Sequence, residues 1–312
     1  MKAVIISIFF IFLAIVLGYT NSWLITPMVV GLTYAIAALG VSVMMRAGQV
    51  SFGHAMYACI SAYTVAFVAR AFPQADALVL ILSGVFVSFL ASALFGAFIV
   101  RYRSIFFGML NLAISMVLFA MLGKMYTITG GTDGLRFDRP SFFWFDLPRK
   151  DFELVLLVVT LLISGLLALW VQRYFRSGSG EALSAIKTNE TRLEYLGFST
   201  YSIMWRGYVF SGVLVGFSGA LLGLIQGLAT PEIGVWLRSG EYVFIAILGG
   251  AAHAAGAFLG AAGFEVVKLV SAIYFPEWWQ FALGLTLILA IFVVPNGIYG
   301  LVRGYVKTGG EK

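Results

Sequence analysis

"ALVLILSGVFVSFLASALFGAFIV" runs from Ala77 to Val100, and these 24 residues contain no charged side chain. A helix of about 20 apolar residues crosses the hydrocarbon core of a bilayer, because each residue adds about 1.5 Å and the core is about 30 Å thick. A surface helix of a soluble protein keeps a polar face, whereas here only serines interrupt the apolar residues. The stretch therefore predicts a membrane-spanning helix.

Similar apolar runs fill most of the chain. They lie at about 4–20, 25–45, 50–69, 104–123, 153–172, 204–228, 240–252, 255–275 and 278–298. Most reach the length that a spanning helix needs. The run at 240–252 is short, which indicates a re-entrant or broken helix. The sequence predicts an all-α membrane protein: a polytopic bundle of about ten transmembrane helices (8–10) in one transmembrane domain over residues 1–312.

Composition excludes several other classes of protein. Hydrophobic residues make up 61% of the 312 residues and the mean hydropathy is +0.97, whereas soluble domains are about 45–50% apolar. The net charge of +6 forms no basic tail or stripe, so we expect no nucleic-acid partner. The only cysteine, Cys59, predicts a buried free thiol rather than a disulfide. Two histidines, His54 and His253, are too few for a His-rich metal site, and we predict no metal.

The distribution of basic residues predicts the orientation. With the N-terminus in the cytoplasm and ten crossings, cytoplasmic segments hold 12 Lys and Arg, and external segments hold 7, one of which is Arg238. Basic residues favour the cytoplasmic side. Both termini and a polar loop at about 173–203 are then cytoplasmic, and the loop at about 124–152 is external. Residues 1–20 are predicted to be a retained helix because no signal-peptidase site follows them; a cleaved signal peptide is the alternative.

The polar loop contains "SGSGEALSAIKTNETRLEYLGFS", Ser177 to Ser199. Ala182, Leu183 and Ile186 share one face of a first short helix. Thr191 and Glu194 have the spacing of a capping box for a second, and Gly197 suits a left-handed helix end. Two helices this short are not stable alone. The loop therefore lies on the membrane body as an interfacial anchor or docks on another protein.

Motifs for bond chemistry are missing from the sequence. It has no G-x-x-x-x-G-K-[ST] phosphate loop, no H-E-x-x-H and no G-x-S-x-G nucleophile. We therefore expect no catalytic residues and no enzyme activity. A transport or scaffold role remains.

The polar loop resembles the cytoplasmic coupling loop of LivM-type permease subunits of branched-chain amino-acid ABC importers. That loop runs G-x-A-x-x-A-I-[RK]-x-N-E…G. The matching residues here are Gly180, Ala182, Ala185, Ile186, Lys187, Asn189, Glu190 and Gly197. "ITGGTDGL" from Ile128 is similar to the family's external T-G-G-[TS]-[DN]-G segment, and "ILGGAAHAAGAFLGAA" from Ile247 is similar to a third family motif. The three motifs extend the resemblance over nearly the whole chain.

The chain departs from the family pattern at two places. Ala252 and His253 replace a glycine and a small polar residue of the third motif. "YRSIFFGMLNLAISMV", from Tyr102, replaces the segment that in the family lies near the transport path. This replacement leaves the substrate open between branched-chain amino acids, urea or amides, and small aromatic carboxylates of the same family.

The resemblance implies the roles of several residues. The coupling residues that contact the ATPase would be Glu181, Ala182, Ala185, Ile186, Lys187, Asn189, Glu190 and Gly197. Gln49 and Ser51 lie between Gly48 and Gly53 in "GQVSFGHAMYA", and His54 follows directly. These three residues are candidates for the transport path or for a buried polar turn. Thr132 and Asp133 are candidates for an external gate or a binding-protein contact, with a tight turn as the alternative.

The resemblance also implies the assembly. A second homologous permease would form a heterodimer with this chain in the bacterial cytoplasmic (inner) membrane, together with two ATPase subunits and an extracytoplasmic solute-binding protein. The partner ATPases would use ATP for alternating access, and this chain would bind no cofactor. An alternative of a different class is an ion-coupled secondary transporter, for which the pair Glu265 and Lys268 within a predicted span is the candidate coupling site.

Overall fold

A computed structural model describes residues 21–274, 277–293 and 297–300. The predicted first span at 4–20 lies outside these residues. The α-helices are α1 (Ile25–Arg46), α2 (Ala55–Ala71), α3 (Ala77–Ile99), α4 (Ser104–Lys124), α5 (Tyr126–Thr129), α6 (Arg149–Phe175), α7 (Gly178–Tyr195), α8 (Thr200–Gln226), α9 (Trp236–Gly249), α10 (Ala254–Tyr274) and α11 (Trp279–Val293).

The helix lengths confirm a polytopic helical membrane protein. Within the described residues, α1, α3, α4, α6, α8 and α10 are long and apolar enough to cross a membrane, and α2 is a shorter apolar helix. Short 3-10 helices cover Ser22–Leu24, Gly131–Asp133 and Pro231–Gly234. Strands β1 (Leu135–Arg136) and β2 (Leu228–Ala229) form one antiparallel pair. The number of ten crossings stays a prediction.

The bundle has two ends that are defined by different segments. Helix α7 lies at one end, where it contacts the end of α1 and the start of α4. We call this the α7 end. The β1–β2 pair lies at the opposite end, beyond the last residue of α8, where the amide of Phe137 donates to the carbonyl of Gly227. We call this the β end.

Helix α2 is preceded by a buried non-helical segment. Helix α1 ends at Arg46, and Gly48 has a φ of 73° that favours glycine. Residues 47–54 then run into the bundle between the helices. A side chain at Gly53 would overlap the backbone of Asn111, which lies two turns into α4. The break that the glycines of "GQVSFGHAMYA" predict is confirmed.

Helix α9 is preceded by a similar segment at the other end of the bundle. Helix α8 ends at Gln226, and Gly227 has a φ of 63°. Residues 228–235 run from the β end into the bundle, where Ser115, near the middle of α4, donates to the carbonyl of Gly234 at 2.7 Å. Helix α9 therefore covers only the second half of this crossing. The short run at 240–252 is part of a broken helix.

The two broken crossings relate the halves of the chain. Each element of the second half runs opposite to its counterpart in the first half. The counterparts are α1 and α8, the segments 47–54 and 228–235, and α2–α4 and α9–α11. The broken helices meet at their starts, since the amide of Ala55 donates to the Ser239 hydroxyl at 2.9 Å. This arrangement is an inverted repeat, which is common in membrane transporters.

Small residues bring the central helices together. Helix α8 carries Gly212, Gly216 and Gly219, and a side chain at these positions would overlap Ser92, Ser88 and the backbone of Ala58, respectively. Such close approach is how transmembrane helices pack where lipid provides no hydrophobic drive. The helix-packing interpretation of the glycines is confirmed.

Candidate functional site

Helix α7 lies on the protein through the apolar face that its sequence predicts. Ala182, Leu183 and Ile186 are buried, and Leu193 is buried in the following turn. Leu183 packs against Gly207 of α8, where an added Cβ would lie 3.1 Å from a Leu183 methyl carbon. Ala182 and Ile186 therefore face the bundle, and Ala185 is half-buried.

The first half of α7 is fixed to the end of α1 by Arg46. The Arg46 guanidinium lies 3.0 Å from a Glu181 carboxylate oxygen and donates to the carbonyls of Gly180 and Phe175 at 3.0 and 3.1 Å. It also stacks over the Phe175 ring at 4.9 Å from the centroid. A movement of α7 must therefore displace the end of α1 or break these contacts.

The second half of α7 is fixed to the start of α4 by Arg103. Arg103 Nη2 lies 2.6 Å from Glu190 Oε1, and Nε donates to Oε2 at 3.0 Å. This two-point geometry is the stronger form of an ion pair. Partial burial of Glu190 opposes ionisation, but the hydrogen bonds and charge of Arg103 outweigh it and hold the pKa of the Glu190 carboxyl below its ordinary value.

Asn189 divides α7 into two short helices. Its φ of −161° and ψ of 97° are not helical, and its side chain accepts the amide of Arg192 at 2.9 Å. Asn189, not Thr191, is therefore the N-cap of the second helix, so the predicted capping box is wrong. Glu194 instead accepts the hydroxyl of Thr200 at 2.6 Å.

Gly197 ends the second helix as predicted. It has a φ of 86°, its amide bonds the carbonyl of Glu194, and the amide of Phe198 bonds that of Leu193. This pair of bonds is a Schellman motif. Lys187, in the first helix, packs its aliphatic stem over Gly48, where an added Cβ would lie 3.0 Å from Lys187 Cγ.

An apolar patch that the sequence analysis missed lies beside Gly197. Tyr195, Leu196 and Phe198 are 88%, 69% and 53% exposed. Large exposed apolar side chains next to one another mark a membrane or protein contact. The signal is visible in "LEYLGFS", where the apolar residues exceed what one buried face of a short helix can take.

The candidate pathway residues are enclosed by protein in this conformation. Gln49, Ser51 and His54 are all buried. Gln49 accepts the amide of Ser104 at 2.7 Å. His54 Nδ1 and Ser51 Oγ are 2.5 Å apart, and His54 Nε2 has no hydrogen-bond partner among the described residues.

A chain of hydroxyls lies next to His54. The Tyr57 hydroxyl donates to that of Tyr208 at 2.8 Å, which donates to Asn111 Oδ1 at 2.6 Å. The His54 and Tyr208 rings lie 5.0 Å apart. The chain connects α2, α4 and α8 at the first break, so any change of angle between these helices disturbs it.

Thr132 and Asp133 lie at the β end, and both are exposed. They belong to the 3-10 helix Gly131–Asp133, between Gly130 and Gly134, whose φ values are 75° and 78°. A side chain at Gly134 would overlap the carbonyl of Ala229 in β2. The segment therefore forms the predicted tight turn, and it packs against β2, which leads into the second break. Its role as a gate stays a prediction.

Charged residues inside the bundle form a larger group than the sequence indicates. Arg238 binds Glu241 at 2.8 Å and also donates to the hydroxyl of Tyr34. Lys268 lies 5.1 Å from the centre of the Tyr34 ring, and one oxygen of Glu265 has no hydrogen-bond partner among the described residues. The assignment of Arg238 to an external loop is wrong, because it lies beside Tyr34 near the middle of α1.

A groove of about 1000 Å³ opens at the β end. Arg70, Arg136 and Arg139 line it together with Asp138. Within the described residues, no group of three or more His, Cys, Asp or Glu side chains is placed to hold a metal ion.

An inverted repeat with two broken helices and a folded polar loop at one end defines a polytopic membrane transport protein. A family described as "Branched-chain amino acid transport system / permease component" matches residues 23–291. The chain belongs to this family of permease components.

Curated relatives agree with the family. The chain is 26% identical over 296 residues to the high-affinity branched-chain amino acid transport system permease protein LivM of Salmonella typhimurium, with 88% of this chain and 69% of the relative covered. It is 25% identical to LivM of Escherichia coli over the same shares. LivH of Salmonella typhimurium is 29% identical over 47% of each chain. No solved structure gives a significant match.

Proposed function

We propose that this chain is the membrane-spanning permease subunit of an ATP-binding-cassette importer for branched-chain amino acids. The observation that carries this proposal is helix α7, which is folded and joined by ion pairs to α1 and α4. Those two helices flank the first broken crossing. A displacement of α7 by a bound ATPase would therefore be transmitted through these ion pairs to the segment 47–54.

The exposed side of α7 is the surface that we propose meets the ATPase. Ala182, Leu183 and Ile186 are occupied by contacts within the chain, so they seat the helix. Lys187 and Asn189 are exposed, and Tyr195, Leu196 and Phe198 form the adjacent apolar patch. Aromatic side chains in such a position are typical energetic anchors of protein interfaces.

The two breaks are the parts that we propose change during transport. Gln49, Ser51 and His54 would line the path when the α7 end opens, and Thr132 and Asp133 would gate the β end. The positions of these residues support both roles. The first group belongs to the non-helical segment 47–54, and the second packs against the segment 228–235. Non-helical backbone at membrane depth is tolerated where it is buried or lines a cavity.

The remaining parts of the assembly follow from the family. A second homologous permease, two ATPase subunits that use ATP, and an extracytoplasmic binding protein would complete it in the bacterial inner membrane. We place the α7 end and both termini in the cytoplasm, with ten crossings. The arginine-lined groove and the Thr132–Asp133 turn would then face the binding protein.

Reconstitution in liposomes tests the transport function. The chain, its partner permease, the ATPases and the binding protein should import leucine, isoleucine or valine only when ATP is supplied. Phenylalanine and urea in the same assay test the other substrates of the family. Uptake by this chain alone, driven by a proton or sodium gradient, would contradict the proposal and favour a secondary transporter.

Substitution of the apolar patch tests the docking surface. Tyr195→Ala with Phe198→Ala should weaken binding of the ATPase by about 2–4 kcal/mol, as loss of two interface anchors does. Tyr274→Ala is the matched control, since Tyr274 is 71% exposed at the end of α10. Normal ATPase binding by the double variant would exclude the patch from the interface.

A further inference from the structure

Glu232 lies deep in the bundle at the second break. It belongs to the 3-10 helix Pro231–Gly234. Ser115 binds the carbonyl of Gly234 at 2.7 Å, and Ser115 lies about halfway along α4. An added Cβ at Gly234 would lie 2.8 Å from Cys59 in α2. Both neighbouring helices thus place this segment near the middle of the membrane.

The Glu232 side chain is nevertheless exposed at the surface of the bundle. Glu232 is exposed, while Pro231, Ile233 and Gly234 on either side of it are buried. Its carboxylate makes no ion pair or side-chain hydrogen bond with any described residue. The nearby Arg238 is already bound to Glu241 and Tyr34. Within residues 21–274, 277–293 and 297–300, no side chain therefore compensates the charge of Glu232.

Lipid cannot be what Glu232 faces. A charged side chain in the hydrocarbon core costs several kcal/mol and is found almost only towards the bundle interior or a water-filled cavity. Trp236 and Leu237, which follow it, are each 44% exposed. An exposed indole and an exposed aliphatic side chain thus follow the exposed carboxylate within five residues of the chain.

We propose that Glu232 lines the transport path and receives the α-ammonium group of the amino acid as it passes the middle of the membrane. The inference rests on the proposed function. A branched-chain amino acid presents an ammonium group beside an aliphatic side chain, which complements the carboxylate and its apolar neighbours. Glu232 is thereby a specificity-determining residue for the cationic end of the substrate.

Transport by Glu232→Gln tests the role of the charge. In the reconstituted complex, the variant should import leucine at least tenfold less efficiently, while complex assembly and basal ATP hydrolysis stay normal. Glu277→Gln, at an exposed acid outside α11, should import like the wild type. Unchanged leucine import by Glu232→Gln would overturn the inference, and so would loss of the permease pair, which would make Glu232 an interface residue.

Cysteine labelling tests whether Glu232 faces water. In a Cys59→Ala background, Glu232→Cys should react with a membrane-impermeant sulfonate thiol reagent added in water. Leu162→Cys is the control, because Leu162 lies at the centre of α6 and is 56% exposed. Labelling no faster than the control would refute the path position. A wild-type complex that imports no amino acid would instead refute the proposed function.

Discussion

The Arg103–Glu190 pair is the contact through which we expect the coupling loop to move α4. Reversing one charge, as Arg103→Glu or Glu190→Arg, places like charges together and should lower ATP-driven import about fivefold or more, on the scale of about 1 kcal/mol for a partly exposed pair. ATP hydrolysis should persist. The double reversal should recover part of the import, and a double variant no better than either single one would contradict a direct role.

The same pair predicts a pH dependence of stability. Because Arg103 holds the pKa of Glu190 below its ordinary value of 4.5, the pair stabilises the folded state fully above about that pH. The stabilisation is lost as the pH falls through the lowered pKa. Thermal unfolding should show a constant gap between wild type and Glu190→Gln from pH 7 to 5 that closes on further acidification. A gap that widens in acid would reverse the assignment.

At the scale of elements, the packing of α8 depends on glycine. Gly219→Ala should lower the free energy of unfolding by about 1–3 kcal/mol, because the new methyl group overlaps the backbone of Ala58. Gly165→Ala in α6 is the matched control, since nothing lies within 4 Å of its added methyl, and it should be neutral or stabilising by up to about 1 kcal/mol. Chemical unfolding in detergent measures both, and equal effects would exclude close packing as the cause.

Local patterns explain what the sequence could predict of α7. The buried face follows from helical spacing and the end from Gly197, and both depend on residues a few positions apart. The N-cap did not follow, because the bend at Asn189 brings Glu190 to Arg103, 87 residues away. Arg238 was misplaced for the same reason, since its partner Tyr34 is 204 residues distant.

The inverted repeat was also beyond local patterns. Each half shows only a glycine after a long helix, Gly48 and Gly227, followed by a short irregular stretch. The contact of Ala55 with Ser239 connects the two halves, and these residues are 184 positions apart in the sequence. When one half of the chain is inverted and compared with the other, the stretches after Gly48 and Gly227 occupy equivalent positions. The stretch after Gly227 forms the first part of its crossing, which explains why the run at 240–252 is short.

At the scale of the whole molecule, the two ends must lie on opposite sides of the membrane. In a Cys59→Ala background, Thr191→Cys in α7 and Thr132→Cys at the β end both place a thiol at an exposed position. In intact cells, an impermeant reagent should label Thr132→Cys, and Thr191→Cys should react only after the membrane is opened. The physical reason is that spanning helices of about 20 apolar residues separate the two positions.

The same experiment decides the orientation predicted from basic residues. A third variant, Ser199→Cys at the start of α8, serves as a control on the α7 side and should behave like Thr191→Cys. Labelling of Thr191→Cys in intact cells, with Thr132→Cys protected, would invert the topology and remove α7 from the reach of a cytoplasmic ATPase. Labelling of both from one side would contradict the odd number of crossings between them, and with it the inverted repeat on which the two broken helices depend.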